Sequence, residues 1–524
     1  MNDNDAPVTP AAAAAAVGMQ IALHAKVAPN RMAIDGPFGR RSYAELNADC
    51  NRLVRFLRSR GIGDGDAIAI LVPNRPAFVE AIYAGLRAGI RVTPINWHLV
   101  ADEAAYIVRD CEAKALIADA RFADVARAVV AAVPVATRLA VGGAIPGFDD
   151  YERSIARESG ADIDDPVLGS NMLYTSGTTG RPKGVYRKSH PVDLLAGLLS
   201  SAKLRPDSDV ALNTGPLYHA APLRLNLMLP LNQGVGVHLM DKWTPEETLD
   251  LIAAHHVTHT HLVPTMFHRL LAMPGAERRK RDTSSLRWLL HGAAPASVDS
   301  KRRMIEWLGP VLYEYYAGTE GGGTLIDSHE WLARPGSVGR APPGCRFSVR
   351  NDRGEELPAG ESGRIYFFTA SAHRFEYFKD PGKTDAAWDG EWFTMGDVGY
   401  FDADGYLYLS GRSAETIISG GVNIYPAEID AVLQQHPAVY DVATVGAPSE
   451  EWGEEIVAVV QPSPDREAGP ALVEELRAFC REKIAAYKVP RRIDFVDALP
   501  RMETGKVQRR LIRDRYWQGR DRKI

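Results

Sequence analysis

Apolar and polar positions alternate between two periods over most of the chain. Leu46, Leu53, Val54 and Leu57 fall on one face of a helix. Ser42-Tyr43-Ala44-Glu45 ahead of them has a hydroxyl at the cap and a carboxylate three residues on, a capping box that predicts where the helix starts. Gly61 to Asp66 turns the chain, and the unbroken apolar run Ala67 to Val72 predicts a buried strand. Phe78 to Gly89 reads as helix and Arg91 to Ile95 as the next strand. A second capped helix opens at Thr244-Pro245-Glu246-Glu247 and leads to a strand from Thr258 to Val263. Helix and strand in this rhythm predict an α/β fold with a largely parallel sheet.

The pattern changes after Gly336. Turns recur at Asp352-Arg353-Gly354, Pro358-Ala359-Gly360, Asp389-Gly390 and Asp404-Gly405, and short runs such as Arg364 to Thr369 and Tyr406 to Ser410 predict hairpins or a small β-barrel. Gly411-Arg412 then leads into a last segment with helices over Pro426 to Gln434 and Ala471 to Ile484. Its strands are expected over Val442 to Ala447 and Glu455 to Gln461, which suits a small α+β lobe.

At 524 residues the chain is longer than one domain, and 45% apolar with 24% charged residues is the composition of a globular protein. A net charge of −5 gives no reason to expect nucleic acid as a partner. Cys50, Cys111, Cys345 and Cys480 form no CxxC pair and are expected reduced, as in a cytoplasmic protein. No apolar run is long enough for a transmembrane segment. The start, Met1-Asn2-Asp3-Asn4-Asp5, is acidic where a signal peptide is basic, and Ala11 to Ala16 is expected to cap a disordered arm or begin a helix. The end, Arg522-Lys523-Ile524, is no peroxisomal address. His255, His256, His259 and His261 cluster, but Thr258 to His261 alternate as in a strand and no acid or cysteine lies among them. A strand is therefore expected there, not zinc.

The densest chemistry lies in Thr175-Ser176-Gly177-Thr178-Thr179-Gly180-Arg181-Pro182-Lys183-Gly184. Glycines permit close backbone approach, Ser176, Thr178 and Thr179 add hydroxyl donors, and Lys183 adds a positive charge. A polyphosphate is the anion that fits. The stretch is not a Walker A loop, because Pro182 precedes Lys183 and Gly184 follows it, and it is not a G-x-G-x-x-G fingerprint. It resembles the phosphate loop of the adenylate-forming superfamily, which includes acyl-CoA synthetases, firefly luciferase and the adenylation domains of peptide synthetases. The likeness is greatest to bacterial fatty-acid and aryl-acid acyl-CoA synthetases. In that superfamily the loop holds the β- and γ-phosphates of ATP.

Other stretches carry the same resemblance. In Tyr315-Tyr316-Ala317-Gly318-Thr319-Glu320, Glu320 is a hard oxygen ligand suited to Mg²⁺ on a triphosphate, Thr319 a donor for the α-phosphate and Tyr316 a flat face for a purine. Taken alone, a Thr-Glu pair is as often a helix cap. The family has glycine where this chain has Ala317. Gly292-Ala293-Ala294-Pro295 resembles the adenine-contacting turn, and by itself is also an ordinary turn. Asp397 matches the residue that binds the ribose hydroxyls, and Arg412, after Gly411, matches a nucleotide-binding arginine. Lys506, in Thr504-Gly505-Lys506, stands where the family has its catalytic lysine, with Tyr487-Lys488-Val489-Pro490 matching upstream. Ser419-Gly420-Gly421-Val422 resembles the loop lining the pantetheine tunnel, and also suits a helix N-terminus. His219, in Pro216-Leu217-Tyr218-His219-Ala220-Ala221, matches the residue beside the substrate carboxylate, and Lys242 falls where CoA ligases often carry a base for the CoA phosphates.

The resemblance runs from about Gln20 to Arg510. It implies a large N-terminal adenylation domain of α/β subdomains with a small β-barrel over 18–411. A small mobile α+β C-terminal domain with the catalytic lysine is expected over 415–524, and a hinge near 412–414. Ala414 occupies the hinge position that usually holds Lys or Asp. The implied activity is that of an acyl-CoA synthetase using ATP, Mg²⁺ and coenzyme A, with His219, Glu320 and Lys506 as the catalytic set. No acid lies between Pro216 and Met240 to pair with an amine, so an α-amino acid is not expected. The uncharged segments Ala220-Ala221, Gly292 to Pro295 and Tyr316 to Gly318 predict an apolar carboxylic acid. Loading of an acyl carrier protein is the alternative. A non-catalytic nucleotide-binding homologue is disfavoured by the intact set Lys183, Glu320, Asp397, Arg412 and Lys506. A homodimer is left open.

Overall fold

The helix Tyr43–Ser59 shows how local chemistry sets the elements in this computed structural model. Glu45 N–H donates to Ser42 Oγ at 3.2 Å and Ser42 N–H to Glu45 Oε2 at 2.7 Å, closing the expected capping box. At the other end Gly61 takes φ +74°, and the amides of Gly61 and Ile62 bond back to Arg58 and Leu57, a Schellman ending that needs the glycine. Leu46, Leu53, Val54 and Leu57 all lie in the core. Each fully buried aliphatic side chain of this kind contributes about 1.5–3 kcal/mol. The structure describes residues 9–175, 182–187, 193–293, 296, 298–351, 353–412, 417–424, 426–500, 507 and 509–518.

Two parallel sheets carry the large domain. The first has six strands in the order Asp149–Asp150, Thr137–Val141, Ala113–Asp119, Ala67–Leu71, Arg91–Pro94, Ser170–Asn171, every pair parallel. Ile68 and Ile70 enter one core, and Ala69 and Leu71 the other. Burial on both faces is why that strand reads as an unbroken apolar run. The second sheet has eight strands and is parallel from Leu312–Gly318 through Trp288–His291, His259–Leu262, Val210–Asn213 and Gly236–Leu239 to Met32–Asp35, with antiparallel strands at both edges. His259 and His261 lie in its buried middle, bonded to the Ala202 carbonyl and the Tyr315 hydroxyl. No metal-binding cluster of His, Cys, Asp or Glu occurs among the described residues.

The hairpins expected after Gly336 form a seven-stranded antiparallel sheet. In it Asp397 and Arg412 stand opposite each other in register. In a smaller antiparallel sheet Lys183–Arg187 lies between Leu173–Thr175 and Phe375–Tyr377 and pairs with both. The small C-terminal domain has a five-stranded sheet with separate cores on its two faces. The Ala11–Ala16 run lies in a helix, Pro10–Ala16. No helix among the described residues is long and apolar enough to cross a membrane.

The two domains meet at a buried charge cluster. Lys488 Nζ, on the small-domain side, donates to Glu103 of the large domain at 3.0 Å and to Glu428 of the helix Pro426–Leu433. Glu103 also accepts from the Ala485 amide at 3.2 Å. Tyr487 OH accepts from Asn96 Nδ2 at 3.1 Å, and Arg269 pairs with Glu451 at 3.0 Å.

Candidate active site

The carboxyl ends of the parallel strands open onto one cavity of about 1800 Å³. Asn96 and His98 follow Arg91–Pro94, Thr214 to Pro216 follow Val210–Asn213, Val263 follows His259–Leu262, and Thr319 and Glu320 follow Leu312–Gly318. Strand ends at such an edge are where open α/β sheets place ligands.

On one wall Thr175 and Lys183 face each other in register, so the ends of the glycine-rich stretch are brought together. Ser176, Gly177, Thr178, Thr179 and Gly180 lie outside the described residues. Lys183 Nζ sits 4.6 Å from the centroid of the Tyr377 ring, and Tyr377 OH donates to Glu320 Oε1 at 3.0 Å. Burial, helped by repulsion from Lys383, holds the Lys183 ammonium below its ordinary pKa. One tyrosine thus fixes both the cation and the carboxylate of this wall.

The next wall carries Gly292, Ala293, Tyr316 and Asp397. A side chain at Gly292 would meet the Tyr315 carbonyl at 2.5 Å, so only glycine fits. Ala293 holds φ +67°, a left-handed conformation that is uncommon for alanine and costs on the order of 1 kcal/mol or more. Ala294 lies outside the described residues. Asp397 is buried and accepts from Tyr316 OH at 2.6 Å, which fixes the aromatic ring and the carboxylate against one another. Thr319 lines the same space.

His219, Ala220 and Ala221 enter a helix that switches to five-residue hydrogen bonding over Pro222–Met228, with the Leu229 amide bonding to the Arg224 carbonyl. Wide turns of this kind are often found at functional sites. Burial, with a smaller push from His98, lowers His219 to about 4, so its imidazole is neutral at neutral pH. Leu225 and Met228 line the cavity beyond it, and so does Arg224. The acid-pocket segments named from sequence carry no charge, but the observed lining adds Arg187 and Arg224.

The small domain closes the remaining side. Gly420 and Gly421 have φ of +61° and +77°, and both line the cavity. A side chain at Gly421 would stand 3.4 Å from Val263, and one at Gly420 would strike the Trp452 ring at 2.9 Å. Lys242 is exposed, three residues past the end of Gly236–Leu239, and is not part of the lining, although Trp243 is. Arg412 is located by its register with Asp397. Lys506 and Ala414 lie outside the described residues. Tyr377, Arg187, Arg224 and Trp243 were not anticipated, because none of the quoted motifs contains them, nor was the Glu103–Lys488 contact, whose partners lie 385 positions apart.

A model of the AMP-binding enzyme family matches residues 21–372, and one of the AMP-binding enzyme C-terminal domain matches residues 428–506. The chain belongs to the AMP-binding enzyme family. Curated relatives of this AMP-binding enzyme include an indoleacetate–CoA ligase of Aromatoleum aromaticum, 33% identical over 94% of this chain and 96% of the relative. A fatty acid–[acyl-carrier-protein] ligase of Streptomyces coeruleorubidus is 31% identical over 92% of this chain and 93% of the relative. Among solved structures, a double mutant of o-succinylbenzoate CoA synthetase from Bacillus subtilis, bound with its product analogue OSB-NCoA, superposes with a TM-score of 0.82. It is 26% identical over 95% of this chain and 98% of that one. The same enzyme in complex with its acyl-adenylate intermediate OSB-AMP is 27% identical over 94% of this chain and 98% of that one, with a TM-score of 0.66. Adenylate-forming acid activation is the chemistry of these relatives, and ATP use follows from it.

Proposed function

We propose that this AMP-binding enzyme is an acyl-CoA synthetase. A carboxylate oxygen attacks the α-phosphorus of ATP, the bond to the leaving pyrophosphate breaks, and acyl-AMP forms. The CoA thiol then attacks the acyl carbonyl, and AMP leaves as the thioester forms. The observation that carries the reading is the cavity itself, which joins the phosphate wall around Lys183 and Glu320 to the Gly420-Gly421 loop of the small domain.

The nucleotide, the acid and the metal each have residues to hold them. Lys183 and the donors near Thr175 hold the β- and γ-phosphates. Asp397 and Arg412 hold the nucleoside, and Gly292, Ala293, Ala294 and Tyr316 frame the adenine. Neutral His219 orients the acid carboxylate by hydrogen bonding. Glu320 suits a single protein ligand to Mg²⁺: Tyr377 occupies only its Oε1, Glu314 is neutralised by Lys301, and Asp397 is assigned to the nucleoside. When bound, Mg²⁺ supplies charge neutralisation on the phosphates. Lys506 stabilises the charge that grows between carboxylate and α-phosphate. The closeness of Gly421 to Val263, and the better superposition on the product-analogue form of the Bacillus enzyme, support a docked small domain arranged for the CoA step. The hinge at 412–414 carries the rotation between the two steps. The acid is largely apolar, since Ala220, Ala221, Leu225 and Met228 form much of its wall.

The experiment is a pyrophosphate-release assay over a panel of carboxylic acids, followed by AMP release with CoA against an acyl carrier protein. Acid-dependent pyrophosphate release with CoA-dependent AMP release supports the synthetase. Release of AMP with the carrier protein alone would replace CoA as the acceptor.

A further inference from the structure

One charged group in the acid pocket is not absorbed by this scheme. Arg224 follows His219 by five residues, in the helix that begins just after it, flanked along the cavity wall by Ala221, Leu225 and Met228. No hydrogen bond or ion pair joins its guanidinium to another described residue, and the side-chain surface it retains faces the cavity. The charges that act on it are Glu320, which favours its cation, and Arg187, which repels it. Glu320 is already held by Tyr377. Arg187 is buried, donates one bond to the His373 carbonyl at 2.9 Å and has no partner for its Nη2 among the described residues. Burial lowers both guanidinium pKa values, Arg187 to about 10. A partly desolvated guanidinium with no hydrogen-bonded anion among the described residues is stabilised when an anionic partner arrives.

Two plainer roles fit less well. As a phosphate ligand, Arg224 would duplicate Lys183 and Lys383, which already line the phosphate wall. As a packing residue it would need the hydrogen bonds that it lacks to described neighbours.

We propose that Arg224 is the counter-charge for a second carboxylate on the acid. The preferred substrate is then a dicarboxylic acid with an apolar body, one end reacting beside His219 and the other held by the guanidinium. This deepens the acid-activation reading and rests on it. Ala220, Ala221, Leu225 and Met228 contact the body between the two carboxylates.

The test compares matched acids, suberate against octanoate and sebacate against decanoate, in wild type, Arg224→Gln and Arg224→Lys. The expected wild-type preference for the diacid in kcat/KM is on the order of 10²-fold, the scale of a buried charge pair with one partner removed. Arg224→Gln abolishes the preference and raises kcat/KM for the monoacid, while Arg224→Lys keeps part of it. Equal losses for both acids together with a raised KM for ATP would overturn the proposal in favour of phosphate binding. An undiminished diacid preference in Arg224→Gln would overturn it outright. Calorimetry of suberate binding separates this from the parent reading. Absence of pyrophosphate release with every acid defeats adenylation, whereas equal suberate affinity in wild type and Arg224→Gln defeats the Arg224 pairing.

Discussion

Lys488 of the small domain donates a 3.0 Å hydrogen bond to Glu103 of the large domain. Glu428 shares the same ammonium, so a buried and a partly buried carboxyl group meet one buried cation. Burial, the largest influence, pushes Glu428 up to about 7 against the pull of Lys488, and Glu103 adds to the push. Burial works against the Lys488 cation too, but Tyr487, Glu428 and Glu103 outweigh it and hold the ammonium above its ordinary pKa.

The docked arrangement is therefore expected to depend on pH. A carboxyl group with a raised pKa contributes its stabilisation below its ordinary value and loses it as pH rises through the raised one. Docking should weaken as pH rises from about 4.5 through about 7. In Glu103→Gln a single carboxylate faces Lys488, Glu428 ionises more readily, and the pH step should move down. Energy transfer between dyes on the two domains, followed from about pH 5 to about pH 9, reports docking. Superimposable wild-type and Glu103→Gln profiles would show that the cluster does not govern it.

Tyr377→Phe keeps the ring beneath Lys183 and removes the hydroxyl that holds Glu320. A hydrogen bond to a charged group contributes about 1.5–3 kcal/mol. We expect acyl-AMP formation to fall about tenfold, with a higher Mg²⁺ concentration needed for half-maximal rate. Tyr377→Leu also removes the ring and should lose more. Pyrophosphate release at varied Mg²⁺ measures both. An unchanged Mg²⁺ dependence in Tyr377→Phe would mean that Glu320 needs no such support.

Much of this was legible from contiguous stretches. The Ser42–Glu45 box, the strand at Ala67, and the Thr175-to-Lys183 and Tyr315-to-Glu320 segments each carry their own signal, because the partners lie within a few residues. What escaped was long-range. Tyr377 reaches Glu320 across 57 positions and Lys488 reaches Glu103 across 385. Nothing in either local sequence marks such a pairing. Arg224 was hidden differently. It sits in the helical segment after His219, where an arginine would ordinarily face solvent, and the sequence does not say that the helix face it shares with Ala221, Leu225 and Met228 lines the cavity.

Lys506→Ala should separate the two half-reactions. The proposed task of Lys506 belongs to adenylation, where negative charge gathers at the α-phosphate. Removing a preorganised charge of this kind typically costs roughly 10²–10³ in rate. Acyl-AMP formation from acid and ATP should fall by that factor, while thioester formation from presynthesised acyl-AMP should persist. Two single-turnover assays decide it. Equal loss in both would make Lys506 a residue of both steps.

Gly421→Leu probes the other half-reaction through a defined contact. Gly421 holds φ +77°, where a branched side chain is strained, and its first side-chain atom would stand 3.4 Å from Val263 on the opposite wall. The further atoms of leucine must enter the cavity between the domains or push them apart. Either outcome obstructs the passage proposed for the pantetheine arm and leaves the phosphate wall at Lys183 and Glu320 untouched. We expect acyl-AMP to form at a near-normal rate and the CoA step to slow by at least about tenfold, with a raised KM for CoA. Gly421→Ala separates strain from obstruction, since it takes the same left-handed penalty of about 1 kcal/mol with only one added carbon. If Ala and Leu slow the CoA step equally, backbone strain is responsible. If Leu alone does, Gly421 keeps the passage open beside Val263. A Leu variant with normal CoA kinetics would remove the Gly420-Gly421 loop from the channel altogether.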